Sequence, residues 1–189
     1  LVSYSVSSIL FMKTNYALFV AATLGWALPT ATHAGGGQPT LIGWNNLGMH
    51  CMDTDYSVFT LLPPFNNLNA QLMVNGELVS AGYTLEYQSA SDPESSINTY
   101  SAGKTNFWDY FAALFGLGTL PADMGMTGNP TPSASPAPLK WNGIAEDNYN
   151  WFEATGIPIT PVDDNLKFNP FPLVKVTARN SSGQAIASA

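Results

Sequence analysis

Asn69-Ala70-Gln71-Leu72-Met73-Val74-Asn75-Gly76-Glu77-Leu78-Val79-Ser80 sets the dipeptide Asn75-Gly76 between two short apolar-rich runs. Both central residues of a tight two-residue hairpin turn must accept φ > 0, and Asn-Gly does so at least cost, so this stretch predicts a β-hairpin. Gly82 to Gln88 follows with Tyr83, Leu85 and Tyr87 alternating onto one face, the period of a strand. Toward the N-terminus, Pro39 to Trp44 predicts a first strand and Asn45-Asn46-Leu47-Gly48 a turn. Tyr56 to Leu62 alternates weakly until Pro63-Pro64 stops it. Toward the C-terminus, Leu173 to Ala178 predicts a strand, Arg179 to Gln184 a turn, and Ala185 to Ser188 the start of a return strand. A hairpin cut there would leave an unpaired edge, which natural sheets avoid, so the domain is expected to continue past Ala189.

Helical periodicity is clear once. Asn106 is placed to act as N-cap with Asp109 at N3, and Phe107, Trp108, Tyr110, Phe111, Leu114 and Phe115 recur at helical spacing until Gly116 or Gly118. These aromatic faces are expected to pack as core. A second short helix is expected from Glu146 to Thr155, with Gly156 just past its end. Gly128 to Pro138 is proline-rich and predicts a surface loop. The expected fold is mainly β: a β-sandwich-like domain with one helical insertion at about 106–117 and long loops.

Met12 to Ala34 carries Lys13, then an apolar run from Tyr16 to Leu28, then Pro29 and small residues around Thr32-His33-Ala34, the order of a secretory signal peptide. The run is short for a membrane span. Residues 1–11 read as upstream read-through, which leaves 35–189 as a single β-rich domain in a periplasmic or extracellular setting. Six basic against thirteen acidic side chains argue against nucleic acid or an anionic membrane as partner. A hydrophobic content of 46% is ample for a core and argues against disorder.

With His33 in the leader, His50 is the remaining histidine, and Cys51 is the one cysteine of the chain. Met49, His50, Cys51 and Met52 set an imidazole, a thiolate and two thioethers side by side, a donor set that suits copper or an axial position on haem iron. The competing expectation is that both methionines fill core gaps and the cysteine is buried and inert. A blue-copper centre needs a second histidine and a structural zinc site four protein ligands, so the set is incomplete for either. His50 is poorly placed to serve as base for its neighbour Cys51, because adjacent residues diverge on strand and helix alike. Asp53 and Asp55, and Asp163 and Asp164, are candidate calcium ligands; turn or cap carboxylates are the plainer expectation. Trp44, Trp108, Trp141 and Trp151, if exposed, would suit carbohydrate.

The string Trp44-Asn45-Asn46-Leu47-Gly48-Met49-His50-Cys51-Met52-Asp53 resembles an uncharacterised family of bacterial exported proteins, together with Leu62-Pro63-Pro64-Phe65-Asn66, Ala70-Gln71-Leu72, Lys104-Thr105-Asn106-Phe107-Trp108, Gly156-Ile157-Pro158-Ile159-Thr160-Pro161 and the Asp163-Asp164 turn. The resemblance implies longer proteins, several with Cys-x-x-Cys-His haem attachment motifs downstream. This chain holds no such motif, so a haem c would attach beyond Ala189, with His50 as a distal axial ligand and Cys51 paired to a later cysteine. The expected function is therefore the exported domain of a haem- or metal-associated redox or electron-transfer protein, serving a redox partner. The alternative is a non-catalytic surface or fibre-forming β module, acting by self-assembly through an edge strand or by glycan binding.

Overall fold

The computed structural model describes residues 37–47, 52, 55–57, 62–144 and 149–189. The leader expected at 1–34 and, from the cluster, Met49, His50, Cys51 and Asp53 lie outside the described residues. In chain order the elements are β1 (Thr40–Leu47), β2 (Phe65–Val74), β3 (Glu77–Leu78), β4 (Tyr83–Ala90), α1 (Phe107–Phe115), β5 (Ala137–Ile144), β6 (Tyr149–Pro158), β7 (Leu173–Asn180) and β8 (Ala185–Ser188). The strands form one antiparallel sheet in the order β1-β2-β6-β5-β4-β7-β8, with β3 beside β2. The fold is mainly β, as expected, with one short helix among the described residues, and the sheet curls until it is nearly barrel-shaped.

Asn75 and Gly76 both have positive φ, 55° and 84°, so the turn between β2 and β3 is the one their chemistry dictates. In β4 the alternation holds: Leu85, Tyr87 and Ser89 are buried and Tyr83 is half-buried. Leu41, Ala70, Leu72, Leu85, Leu139, Phe152, Ile157 and Val176 join Tyr87 in the main core. The Tyr87 hydroxyl donates to the Pro130 carbonyl oxygen at 2.8 Å, and burial pushes its phenol above the ordinary range.

β5 decides the closure. Ala137, Pro138 and Leu139 pair with Tyr87, Glu86 and Leu85 of β4, whereas Lys140 through Ile144 pair with Glu153 through Tyr149 of β6. One strand thus turns the corner between two half-sheets, as strands do in orthogonally packed β structures. At the opposite side β1 comes back against β7 and β8. A Cβ built on Gly43 would stand 3.7 Å from Val176 Cγ2 and 3.9 Å from the Ala189 Cβ, ordinary packing contact.

The segment expected to be a second helix is instead β6 over Tyr149–Pro158. Gly156 does adopt the positive φ of a helix-ending glycine, 65°, but here it forms a β-bulge. Between Asn66↔Ile157 and Leu68↔Ala154, β6 carries one more residue than β2, and the Asn67 Oδ1 accepts from the Gly156 N–H at 2.9 Å. Trp151, Phe152 and Ile157 sit equally well in a strand, so a short aromatic run could not separate the two periods. Asn45, Asn46 and Leu47, expected as a turn, belong to β1, which absorbs them with a register shift between Asn45 and Leu47. Tyr56, Ser57 and Leu62 are not in a strand; the rest of that expected strand lies outside the described residues.

Gly128 to Pro138 is only partly a surface loop. Its last two residues enter β5, and Asn129, Thr131 and Pro132 are buried. The loop docks on the bulge: Asn129 Nδ2 donates to the Thr155 carbonyl oxygen at 2.7 Å, and Thr127 Oγ1 donates to the same oxygen.

A second cluster joins Met52, Tyr56, Phe65, Phe107 and Phe111. The Phe107 ring meets Tyr56, Phe65 and Trp108 edge-to-face at 5.0, 5.5 and 5.1 Å, the favoured geometry for aromatic quadrupoles. Gly116 ends α1 in the left-handed conformation, its N–H reaching the Ala112 carbonyl oxygen. Asn106 stands at the N-cap position but makes no side-chain cap. Its Oδ1 accepts from the Tyr56 N–H at 2.6 Å and its Nδ2 donates to Asp55 Oδ1 at 2.6 Å, tying the chain after the cluster to the start of α1.

Gly125 lies under the bulge, where an added Cβ would sit 1.9 Å from the Gly156 carbonyl oxygen. Gly125→Ala is expected to cost about 1–3 kcal/mol or more in overpacking, read as a lowered urea midpoint. Gly118→Ala, with nothing within 4 Å of the new Cβ, should leave that midpoint unchanged. Phe107→Ala should lose about 3–5 kcal/mol by the same measurement.

Candidate functional site

The seam between β1–β2 and β7 holds a groove of about 400 Å³. Trp44, Ile159, Phe171 and Leu173 contribute apolar lining, and Asn45, Asn66 and Asn67 contribute carboxamides. Asn45 Nδ2 donates to Asn66 Oδ1 at 3.4 Å, linking β1 to β2 within the lining. Phe171 is 68% exposed, a high value for an aromatic ring, and its neighbours Pro170 and Pro172 also line the groove. Volume and composition match ordinary small-ligand sites, in which a mostly apolar surface carries a few polar groups that orient the ligand.

The elements explain the placement. β1 continues through Asn45 and Asn46 instead of turning, which carries Trp44 and Asn45 along the seam. At Gly43, β1 faces Val176 and Ala189 with room for a Cβ in ordinary contact. The same strand then leads in sequence from the groove lining into Gly48-Met49-His50-Cys51.

Of the metal-ligand candidates, His50, Cys51, Met49 and Asp53 lie outside the described residues. Met52 is buried in the aromatic cluster with Tyr56, Phe65 and Phe107. Asp55 is exposed; hydrogen bonds from Ser57 and Asn106 hold its carboxyl below the usual carboxylate range. Asp163 and Asp164 are part of an internal polar lattice. Asp163 Oδ1 accepts from the backbone N–H groups of Lys167 at 2.8 Å and Asn165 at 2.9 Å, and its Oδ2 from Ser96 Oγ at 3.0 Å. Asp164 Oδ1 meets the Lys104 ammonium at 2.7 Å, and Thr99 donates to both carboxylate oxygens. The cation beside Asp164 is thus the protein's own. Among the described residues, no group of three or more His, Cys, Asp or Glu side chains converges as a metal site would require.

The four tryptophans proposed for carbohydrate are half-buried instead of exposed. Trp141 packs on Phe152 at 4.9 Å and Trp108 on Phe107, while the Trp151 Nε1 donates to Glu153 Oε2 at 3.0 Å. Among them Trp44 lines the groove. Sequence periodicity did not mark Phe171, Asn66 or Asn67, which come from a loop and from β2. The one available signal was Pro170-Phe171-Pro172, an aromatic residue held between two prolines.

The Lys167 N–H, together with Ser96 and the Asn165 N–H, holds the Asp163 carboxyl below the usual range. A carboxyl depressed in the folded state adds stability above the unfolded value near 4, and that stability is lost as pH falls through the folded value. The urea midpoint should therefore decline between about pH 5 and the acid limit, and Asp163→Asn should flatten the decline while lowering the midpoint at neutral pH. Among the described residues, no helix is long and apolar enough to cross a membrane. Compared with protein-family models, with curated proteins and with solved structures, the chain gives no match.

Proposed function

We propose that the chain is an exported, non-catalytic β module that binds a sugar ring in the seam groove. The observation that carries this is the groove's lining: Trp44 and Phe171 with the carboxamides of Asn45, Asn66 and Asn67, in about 400 Å³. An aromatic ring offers a flat apolar face to the C–H side of a pyranose, and a carboxamide both donates to and accepts from its hydroxyls. Small-ligand sites combine these same two kinds of surface. Strand exchange is less well supported, because β1 already packs against Val176 and Ala189 at Gly43 and a donated strand would need about 4.8 Å of spacing on each side.

A second proposal concerns the cluster that follows β1 in sequence. A haem or copper centre held by His50, with Met49 and Cys51 nearby, is supported by the continuity of β1 from the groove lining into that segment. The Met52 side chain is buried in the aromatic cluster, a packing role in place of a ligand's.

Titration of soluble oligosaccharides against tryptophan fluorescence tests the first proposal. Binding should weaken at least tenfold in Trp44→Ala, about 1.4 kcal/mol, and should persist in Asn142→Ala. No saturable signal with any soluble glycan would refute it. For the second, the purified chain should carry copper or iron by elemental analysis, or a haem absorption band. His50→Ala should abolish either signal; an unchanged spectrum in that variant rules out His50 as the ligand.

A further inference from the structure

Lys104 is a buried nucleophile that neither the groove nor the cluster around His50 uses. Its side chain is fully shielded from solvent. Lysine ordinarily keeps its ammonium in water, because an isolated charge is costly to desolvate. Here Nζ stands 2.9 Å from Asn98 Oδ1, 2.7 Å from Asp164 Oδ1 and 3.9 Å from the centre of the Tyr100 ring. Asn98 is itself buried, and its Nδ2 donates to the Thr160 carbonyl oxygen at 2.5 Å.

The surrounding loop is fixed from several sides. Asp92 accepts from the Ser96 N–H, and Asp163 from the Ser96 hydroxyl. Asp164 accepts twice from Thr99, and Asp123 Oδ1 accepts from the Ser101 N–H, the Ser101 hydroxyl and the Ala102 N–H. An amine and a carboxamide, both buried, and a half-buried carboxylate are thereby held within hydrogen-bond reach of the amine. Positioning of this kind converts a slow bimolecular reaction into an effectively unimolecular one.

We infer that Lys104 and Asn98 join in an intramolecular isopeptide bond, with Asp164 carrying the protons. The Asp164 carboxylate takes one proton from the Lys104 ammonium, and the freed lone pair attacks Cγ of Asn98. The Nζ–Cγ bond forms. Asp164 returns its proton to Nδ2 as the Cγ–Nδ2 bond breaks, and then takes a second proton from Nζ. The released ammonia carries that proton away as ammonium, and the carboxylate is restored. An ammonium and a carboxamide have become a secondary amide and an ammonium ion, with no change of oxidation state.

Asn98 is the better acyl partner than Asp164. Burial alone would raise the Asp164 carboxyl, but the hydrogen bonds from Lys104 and Thr99 outweigh it and hold the group ionised. A carboxylate anion resists nucleophilic attack, whereas a carboxamide does not need to gain a proton first. The Thr160 carbonyl oxygen, as acceptor of the Nδ2–H, orients the departing nitrogen.

The intact mass of the purified, non-denatured full chain tests this. It should be lighter than the sequence mass of the same species by one ammonia, and trypsin should fail to cleave after Lys104 because its amine is acylated. Lys104→Arg and Asn98→Ala should each restore the full mass, with far-ultraviolet circular dichroism confirming a retained β spectrum. Asp164→Ala should leave at least tenfold less of the bonded form. Full sequence mass in the parent chain, with cleavage at Lys104, overturns the inference without recourse to any variant. A loss of one water, mapped to Lys104 and Asp164, overturns the assignment to Asn98.

Discussion

The divided pairing of β5 is the constraint on which the rest depends. Its first three residues bond to β4 and its remainder to β6, so two half-sheets are joined through one continuous backbone. The core lies between those halves: Leu72, Phe152 and Ile157 come from one, Leu85, Tyr87 and Val176 from the other. Once β5 has turned the corner, the far edges β1 and β8 must approach each other. They meet where Gly43 faces the side chains of Val176 and Ala189. The groove lies along that seam, where a curled sheet comes together without a backbone ladder.

The bulge at Thr155 and Gly156 has a comparable role at one end of the sheet. An extra residue in β6 re-aims the Thr155 carbonyl oxygen toward Thr127 and Asn129 and brings the Gly156 carbonyl oxygen close to Gly125. The proline-rich loop is thus anchored by polar contacts to a specific irregularity. These contacts let a segment with little apolar content become partly buried, with the Thr131 hydroxyl left inside without a hydrogen-bond partner. Lys104, Asp123, Asp163 and Asp164 perform a similar service for the loop over 96–105. Charges that look on the sequence like solvated turn residues are here internal fasteners, and the close approach of Lys104 to Asn98 is a product of that arrangement.

Legibility differed from feature to feature. The Asn75-Gly76 hairpin, the faces of β4, the C-terminal hairpin and the glycine stop of α1 all follow from local rules, because turn conformation and side-chain alternation are properties of short stretches. β5 was hidden because Ala137 to Ile144 contains a proline and a glycine and lacks clean alternation. Pro138 pairs with β4 just before β5 changes partners after Leu139, a place that only the assembled sheet defines. β6 read as helix because aromatic residues near a positive-φ glycine suit both a helix end and a bulge. Asn106 read as a capping residue, yet its carboxamide bonds to Tyr56 and Asp55, some fifty positions away in sequence.

The sequence by itself determined that the described chain is mainly β, where the Asn75-Gly76 turn and the helix at Phe107 fall, and which residues neighbour His50 in the chain. Those are matters of residue type, period and adjacency. Tertiary structure alone decided that Trp44, Phe171 and three asparagines share a groove, and that Lys104 lies between Asn98 and Asp164. The physical reason is the same in both cases. These residues meet only after the sheet has curled and its loops have crossed, and the burial that then gives their polar groups a particular chemistry has no counterpart in a local stretch of chain.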